Sequence, residues 1–244
     1  MTILESGSNF MLNDIVSNIA IITSISSTLA AIVGVVLGVA NYSNANKQIK
    51  LSNKHFMYER RVSSYMFLSD LIALFNLEKE YLINEQKNDD PIFGAADIIF
   101  QTLTNTSRLS DLINEYTNPL KDVDEHKKYL TMIEKFQSQG QMFEFEFSGE
   151  SGATANCFIQ QYFDFLSQLM SYKILYEKIK EYQGNPNNLP DGQREKQLDI
   201  LTTFGEKKHR KKLFDSFDKL DKTYSKMMEG KIISELKKQI ELIK

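Results

Sequence analysis

The residues with the greatest chemical potential lie near the C-terminal end: Lys207, Lys208, His209, Arg210, Lys211 and Lys212, six in a row. Such a run is a candidate phosphate binder. A nucleotide signal, a nucleic acid or the anionic headgroups of an inner membrane leaflet would each offer it oxyanions. No aromatic side chain is interleaved, so no stacking platform for bases is evident. The plainer alternative is a solvated helix end. Residues 206–244 carry twelve Lys/Arg against seven Asp/Glu, whereas residues 89–199 carry ten against eighteen. That contrast also suits contact between the basic tail and an acidic neighbouring subunit.

Other reactive residues are sparse. A single cysteine, Cys157, excludes an internal disulfide framework and a Cys-based zinc cluster. His55, His126 and His209 are scattered, so no metal and no cofactor is expected. Cys157 opens an apolar helical stretch and is expected in a core rather than as a nucleophile. Gly149-Glu-Ser-Gly152 superficially resembles a nucleophile elbow, but its spacing is not GxSxG, and a helix entry is expected there. Asp122, Asp124 and Glu125 suit the first turn of a helix. The sequence contains no GxxxxGK[ST], GxGxxG or HExxH. No catalytic residue is assigned, and neither enzymatic activity nor a small-molecule substrate is expected.

A second pattern is physical rather than catalytic. Between Asp14 and Lys47 lie 32 residues without Asp, Glu, Lys, Arg or His. Ile15 to Ala40 as a helix would be roughly 39 Å long, against a hydrocarbon core of about 30 Å. Core helices of soluble proteins rarely go that far without a charged face. A signal peptide would need a basic start and a shorter apolar stretch, yet the first 46 residues contain no Lys or Arg. A retained single-pass anchor is expected. Lys47, Lys50, Lys54, Arg60 and Arg61 form a basic flank on its C-terminal side only. The positive-inside bias then puts residues 1–14 outside and the C-terminal bulk in the cytoplasm. One free cysteine agrees with a reducing compartment.

The span is unusually rich in small and hydroxylated residues. Steps of 4, 3, 4, 3 select Asn13, Ser17, Ala20, Ser24, Ser27, Ala31, Gly34, Gly38, Asn41, Ala45, Gln48 and Ser52, all small or polar. A 3.5-residue period keeps one helix face turned towards its neighbours, and Gly34-Val-Val-Leu-Gly38 is a GxxxG motif. Two readings follow. Ser17, Ala20, Ser24, Ser27, Ala31, Gly34, Gly38 and Asn41 form either a helix–helix contact in a homo-oligomer or the lining of a narrow polar pore within one.

The elements that would position these features are helical. No Gly or Pro occurs from Val39 to Asp90, so the span can continue into the following segment, with Asn41 to Asn46 the expected break. Tyr58, Val62, Tyr65, Leu68, Ile72 and Phe75 recur at helical spacing, with Phe67, Leu71 and Leu74 beside them. Further helices are expected from Pro91 to about Tyr116, from Lys121 to Ser138, and from Ala153 to Tyr182. The last two or three should run through Leu198-Leu201-Phe204, Leu213-Phe217-Leu220-Tyr224 and Ile233-Leu236-Ile240-Ile243. Phe143 to Phe147 alternates as Phe-Glu-Phe-Glu-Phe, a strand period; without a partner edge an extended loop is the favoured expectation. Gly184 to Gly192 is a turn-rich loop. The expected fold is all-α: a transmembrane helix at 15–40, a juxtamembrane helix at 41–90 and a cytoplasmic helical domain at 91–244.

The layout of Ile15–Ala40, the basic flank Lys47–Arg61 and the helical remainder resembles that of small bacterial membrane effectors of anti-phage (abortive infection) systems. The resemblance implies a protein of the bacterial cytoplasmic membrane that is held silent by a partner or ligand and disrupts the membrane lipid once triggered; together with the stripe, the first expectation is a homo-oligomeric membrane effector or channel subunit. The trigger would be a cytoplasmic regulatory protein or a phosphate-bearing ligand acting on the helical domain. It rests on organisation, not on a motif, and transfers no residue role. A passive anchored scaffold that recruits a soluble partner is the alternative, and an enzyme of unrecognised type a third.

Overall fold

A computed structural model describes residues 3–88, 91–107, 109, 123–184 and 190–241. The helices are α1 (Ile3–Lys87), α2 (Phe93–Leu103), α3 (Val123–Glu146), α4 (Gly149–Gly184), α5 (Asp191–Asp199), α6 (Glu206–Glu229) and α7 (Ile232–Glu241). A π-helical turn, Ile200–Gly205, joins α5 to α6. There is no strand among the described residues, and the fold is all-α.

The chain forms two compact units, Met1–Phe56 and Met57–Lys244. In the first, α1 is the described element, and it contains the one stretch among the described residues that is long and apolar enough to cross a membrane. Residues 41–46 are helical, so the expected break is not there. Asn and Ser weaken a helix by only about 0.5 kcal/mol per residue. With no Gly or Pro nearby, nothing removes a backbone hydrogen bond.

In the second unit α4 is the central helix, packed against α2, α3, α6 and α7. Phe67, Leu68, Leu71, Leu74, Phe75 and Leu82 form the buried face of α1 in this unit. Phe75 meets three rings from other helices: Phe158 at 6.3 Å, Phe217 at 6.0 Å and Tyr224 at 5.1 Å between centroids. Its partners repeat at helical spacing on their own elements, Phe158-Tyr162-Phe165-Leu169 on α4 and Leu213-Phe217-Leu220-Tyr224 on α6. A helix stripe buried on one side is what makes such helices stable in water.

The turn from α3 into α4 depends on glycine. Gly149 has φ +76°, which L side chains rarely adopt, and a Cβ on Gly152 would collide with the Phe147 carbonyl. The Gly-Glu-Ser-Gly segment is therefore the entry to α4, as expected.

Several expectations are corrected. Phe143–Phe147 is neither strand nor loop: α3 runs through Glu146, well past Ser138. Phe143 and Phe147 are buried and stacked with centroids 5.1 Å apart, while Phe145 is 77% exposed. Positions i and i+4 share a helix face, whereas alternation would have put all three rings together. With no partner edge for a strand, burial of two rings decides. Helix α2 ends at Leu103, with Thr104 as its C-cap, where the backbone leaves helical geometry and the Thr104 amide donates to the Phe100 carbonyl at 3.1 Å; residues 110–122 lie outside the described residues. Phe204, expected in an apolar row with Leu198 and Leu201, is 70% exposed. The π turn changes the residues per turn and so rotates the row out of phase. Cys157 is exposed, because Ala155, Phe158 and Ile159 hold the buried face of α4. Asp122, Leu112, Ile113, Asn118-Pro119, Ile243 and residues 185–189 of the turn-rich loop lie outside the described residues.

The helical register of the Phe-Glu-Phe-Glu-Phe segment has a measurable consequence. Phe143→Ala should lower unfolding stability by about 3–5 kcal/mol, whereas Phe145→Ala should change it by less than about 0.5 kcal/mol. Chemical denaturation of the detergent-solubilised chain, followed by circular dichroism, compares the two; equal losses would restore the strand register.

Candidate functional site

The stripe residues Ser17, Ala20, Ser24, Ser27, Ala31, Gly34, Gly38 and Asn41 all lie on α1 and all are exposed. The flanking apolar rows, Ile21, Ile22, Ile25, Leu29, Ile32, Val33 and Val36, are exposed as well. Hydroxyls of the span donate to carbonyls of their own helix: Thr23 to Ile19 at 2.8 Å, Ser27 to Ser24 at 2.9 Å and Thr28 to Ser24 at 2.8 Å. Their protons thus need no water, which removes the main penalty for placing them in hydrocarbon. The remaining lone pairs stay available to a neighbouring helix or to water.

The glycines are the more informative feature. A Cβ added at Gly34 or at Gly38 would meet nothing within 4 Å. Neither is at positive φ. Each costs about 1 kcal/mol of helix propensity relative to Ala, and nothing in the fold of one chain requires either.

The basic flank divides. Lys47, Lys50 and Lys54 are exposed on α1. Arg60 and Arg61 are built into the second unit around Glu146, which is 2% exposed at the C-terminal end of α3. Arg60 Nε donates to Glu146 Oε1 at 3.0 Å, and the Ser64 hydroxyl donates to Oε2 at 2.5 Å. Arg61 Nε donates to the Glu146 carbonyl at 2.7 Å, and its NH1 group donates to the Gln239 carbonyl of α7 at 2.7 Å. The Arg61 guanidinium also lies 5.5 Å from the Phe147 ring centroid. From the other side, Gln239 Nε2 donates to the Ser148 carbonyl at 3.1 Å, and the Ser148 amide donates to Gln239 Oε1 at 2.9 Å. Two arginines, one carboxylate and one carboxamide therefore tie α1, the α3–α4 turn and α7 together. A buried carboxylate is tolerated only with partners of this kind. Sequence reasoning missed Glu146, Ser64 and Gln239: Arg60 and Glu146 are 86 positions apart, and no local spacing announces the pair.

The basic run also divides. Lys207, Lys208, Lys211 and Lys212 are exposed on α6. Arg210 turns towards the end of α1, where its NH2 group donates to the Glu85 carbonyl at 2.7 Å and to the Asn88 carbonyl. A cation on the last carbonyls of a helix satisfies groups that have no partner within it and complements its dipole. Arg210 is thus a cap rather than one of a solvated set. His209 is half-buried, and its pKa lies below the usual imidazole value, first through burial and then through Lys212, Lys208 and Lys178. Beside the run, the buried Glu206 accepts a hydrogen bond from the Tyr172 hydroxyl at 2.7 Å, and that hydroxyl accepts from the Ile92 amide at 3.2 Å. Burial, reinforced by Glu206, pushes the Tyr172 phenol up and keeps it protonated. These contacts join α2, α4 and α6. They leave four lysines of the six-residue run as the part that faces outward.

No protein-family model, curated protein or solved structure matches this chain. Among the described residues, no group of three or more His, Cys, Asp or Glu side chains is placed to hold a metal ion.

The split of the flank predicts unequal mutants. Arg61→Ala should cost about 2–3 kcal/mol, since two carbonyls lose a charged donor, while Lys50→Ala should stay within about 0.5 kcal/mol; denaturant midpoints of the two variants check this. For His209 the sign follows from linkage. Its folded pKa lies below its unfolded value, so on acidification the unfolded chain takes up the proton first. Stability should therefore fall as pH drops below about 6.5. His209→Gln should flatten that part of a stability-against-pH curve, and an unchanged slope would assign the loss to other groups.

Proposed function

We propose that this chain is the subunit of a homo-oligomeric membrane effector, an ion-channel-like assembly that permeabilises or depolarises the bacterial cytoplasmic membrane when its helical domain is triggered. The observation that carries this reading is the pair Gly34 and Gly38, which a single chain does not need. Small residues in a membrane helix let a second backbone approach closely. The hydroxyl-rich register Ser17, Ser24 and Ser27 on the same stripe is compatible with a hydrated axis. The lysines at 47, 50 and 54, with no basic residue before them, favour a cytoplasmic location for residues 57–244.

In this reading the second unit is the switch. Its exposed Lys207, Lys208, Lys211 and Lys212 offer a surface for a phosphate-bearing ligand, a nucleotide or a nucleic acid, or for an acidic regulatory protein. An anti-phage role follows from the layout that the chain shares with abortive-infection effectors.

The reading is tested by membrane potential during induced expression in bacteria. Gly34→Leu and Gly38→Leu should each abolish depolarisation while the protein still fractionates with the membrane, since neither change clashes within one chain. Full depolarisation by both variants, or by a chain whose span is replaced with poly-Leu, would reduce the span to an anchor and favour a scaffold that recruits a soluble partner.

A further inference from the structure

The helix does not end where its apolar stretch ends. Beyond Ala40, α1 continues through Phe56 within the first unit. Three of the exposed apolar side chains of this stretch stand at an interval of seven, Tyr42 (71% exposed), Ile49 (57%) and Phe56, while Leu51, also exposed, lies off that row. Between them, at the complementary half-interval, stand the small residues Ala45 and Ser52. Labelled as a heptad, Tyr42, Ile49 and Phe56 take the a positions, and Ala45 and Ser52 the d positions, the two that face a partner helix in a coiled coil.

The disposition of charge follows the same labels. Lys47 and Lys54 fall at f and Lys50 at b, the positions turned furthest from a partner. The e and g positions beside the seam are Asn46, Gln48, Asn53 and His55. No lysine lies on or beside the seam, although the segment has three and no acid to neutralise them. Randomly placed lysines would set like charges against each other in a parallel pair, which costs stability. Here they are confined to the outer face.

Hydrocarbon does not account for Ile49 or Phe56. Ile49 is nine residues past Ala40, about 13 Å further along the helix axis. The small row inside the span, Ser24, Ala31 and Gly38, shares the d register with Ala45 and Ser52, seven residues apart throughout. The d row therefore continues from the span outwards, while the row beside it changes from the small or polar g positions Gly34 and Asn41 to the apolar a positions Tyr42, Ile49 and Phe56. Copies inserted the same way are necessarily parallel, so a parallel, in-register partner is available from a second copy of this chain.

We propose that residues 42–56 form a parallel coiled coil with a second copy of the chain, with Tyr42, Ile49 and Phe56 at a and Ala45 and Ser52 at d. This rests on the homo-oligomer proposed above and gives it an interface outside the membrane. The small d residues bring the helices close, and the apolar a residues supply the buried area in water. The lysines are left outward to meet anionic headgroups at the membrane surface.

Disulfide scanning of the full chain in isolated membranes tests this. In a Cys157→Ser background, single cysteines are introduced as Ala45→Cys, Ile49→Cys and Ser52→Cys on the seam. Lys47→Cys, Lys50→Cys and Lys54→Cys probe the outer face, and Ala31→Cys and Gly38→Cys the span. After mild oxidation, dimer bands should form at 45, 49 and 52 and be absent at 47, 50 and 54, since Cα atoms more than about 7 Å apart cannot be bridged. Bands at 31 and 38 with equal yields at all six positions between 45 and 54 would overturn the coiled coil and leave the membrane contact standing. Bands at 45, 49 and 52 with none at 31 or 38 would uphold the coiled coil and overturn the contact within the span. No band at any of the eight positions would overturn both.

Discussion

Backbone hydrogen bonding governs α1. A segment of 32 residues without an ionisable side chain has no means of dissolving its own surface. If it enters hydrocarbon, each peptide group must be satisfied within the helix, because lipid offers no partner. The chain meets that demand twice over. No proline interrupts α1, and the hydroxyls of Thr23, Ser27 and Thr28 turn back to carbonyls of the same helix. The hydroxyl of Ser27 in the stripe, and those of Thr23 and Thr28 beside it, thus have their protons bonded without water. Beside Gly34 and Gly38 the space is open: a Cβ at either would meet nothing within 4 Å.

The second unit answers a different constraint. Its core is aromatic, centred on Phe75 against Phe158, Phe217 and Tyr224. Around that core a few polar groups are buried with their partners: Glu146 with Arg60, Ser64 and Arg61, and Glu206 with Tyr172. Such groups add little net stability, since desolvation cancels most of the attraction. Their geometry is directional, however, and an unpaired member is costly. They therefore fix which helix meets which. Arg210 does the same at the other end of the second unit's part of α1, where it caps the Glu85 and Asn88 carbonyls.

The misread elements share a cause. Phe-Glu-Phe-Glu-Phe is a strand pattern only if something supplies an edge; in a helical unit the same letters place Phe143 and Phe147 together and leave Phe145 outside. Phe204 belongs to an apolar row until a single π turn rotates the register. Cys157 has apolar neighbours in sequence but is turned about 100° around α4 from the buried Phe158, which leaves it exposed. Each error came from reading a local period where the number of residues per turn, or the face that packs, is set by distant helices.

The sequence by itself determined the helical class, the one segment among the described residues apolar enough to cross a membrane, and many core positions, among them Leu68, Phe75, Leu213, Phe217, Leu220 and Tyr224. Those follow from local periodicity and from the absence of charge, which involve only near neighbours. Tertiary structure alone decided that Arg60 and Arg61 belong to a buried cluster while Lys47, Lys50 and Lys54 stay on the surface, and that Arg210 is a helix cap among outward-facing lysines. A cation reads the same in sequence whether it meets water or a carbonyl. Only the fold brings Glu146 to Arg60, and Glu85 to Arg210, across 86 and 125 positions.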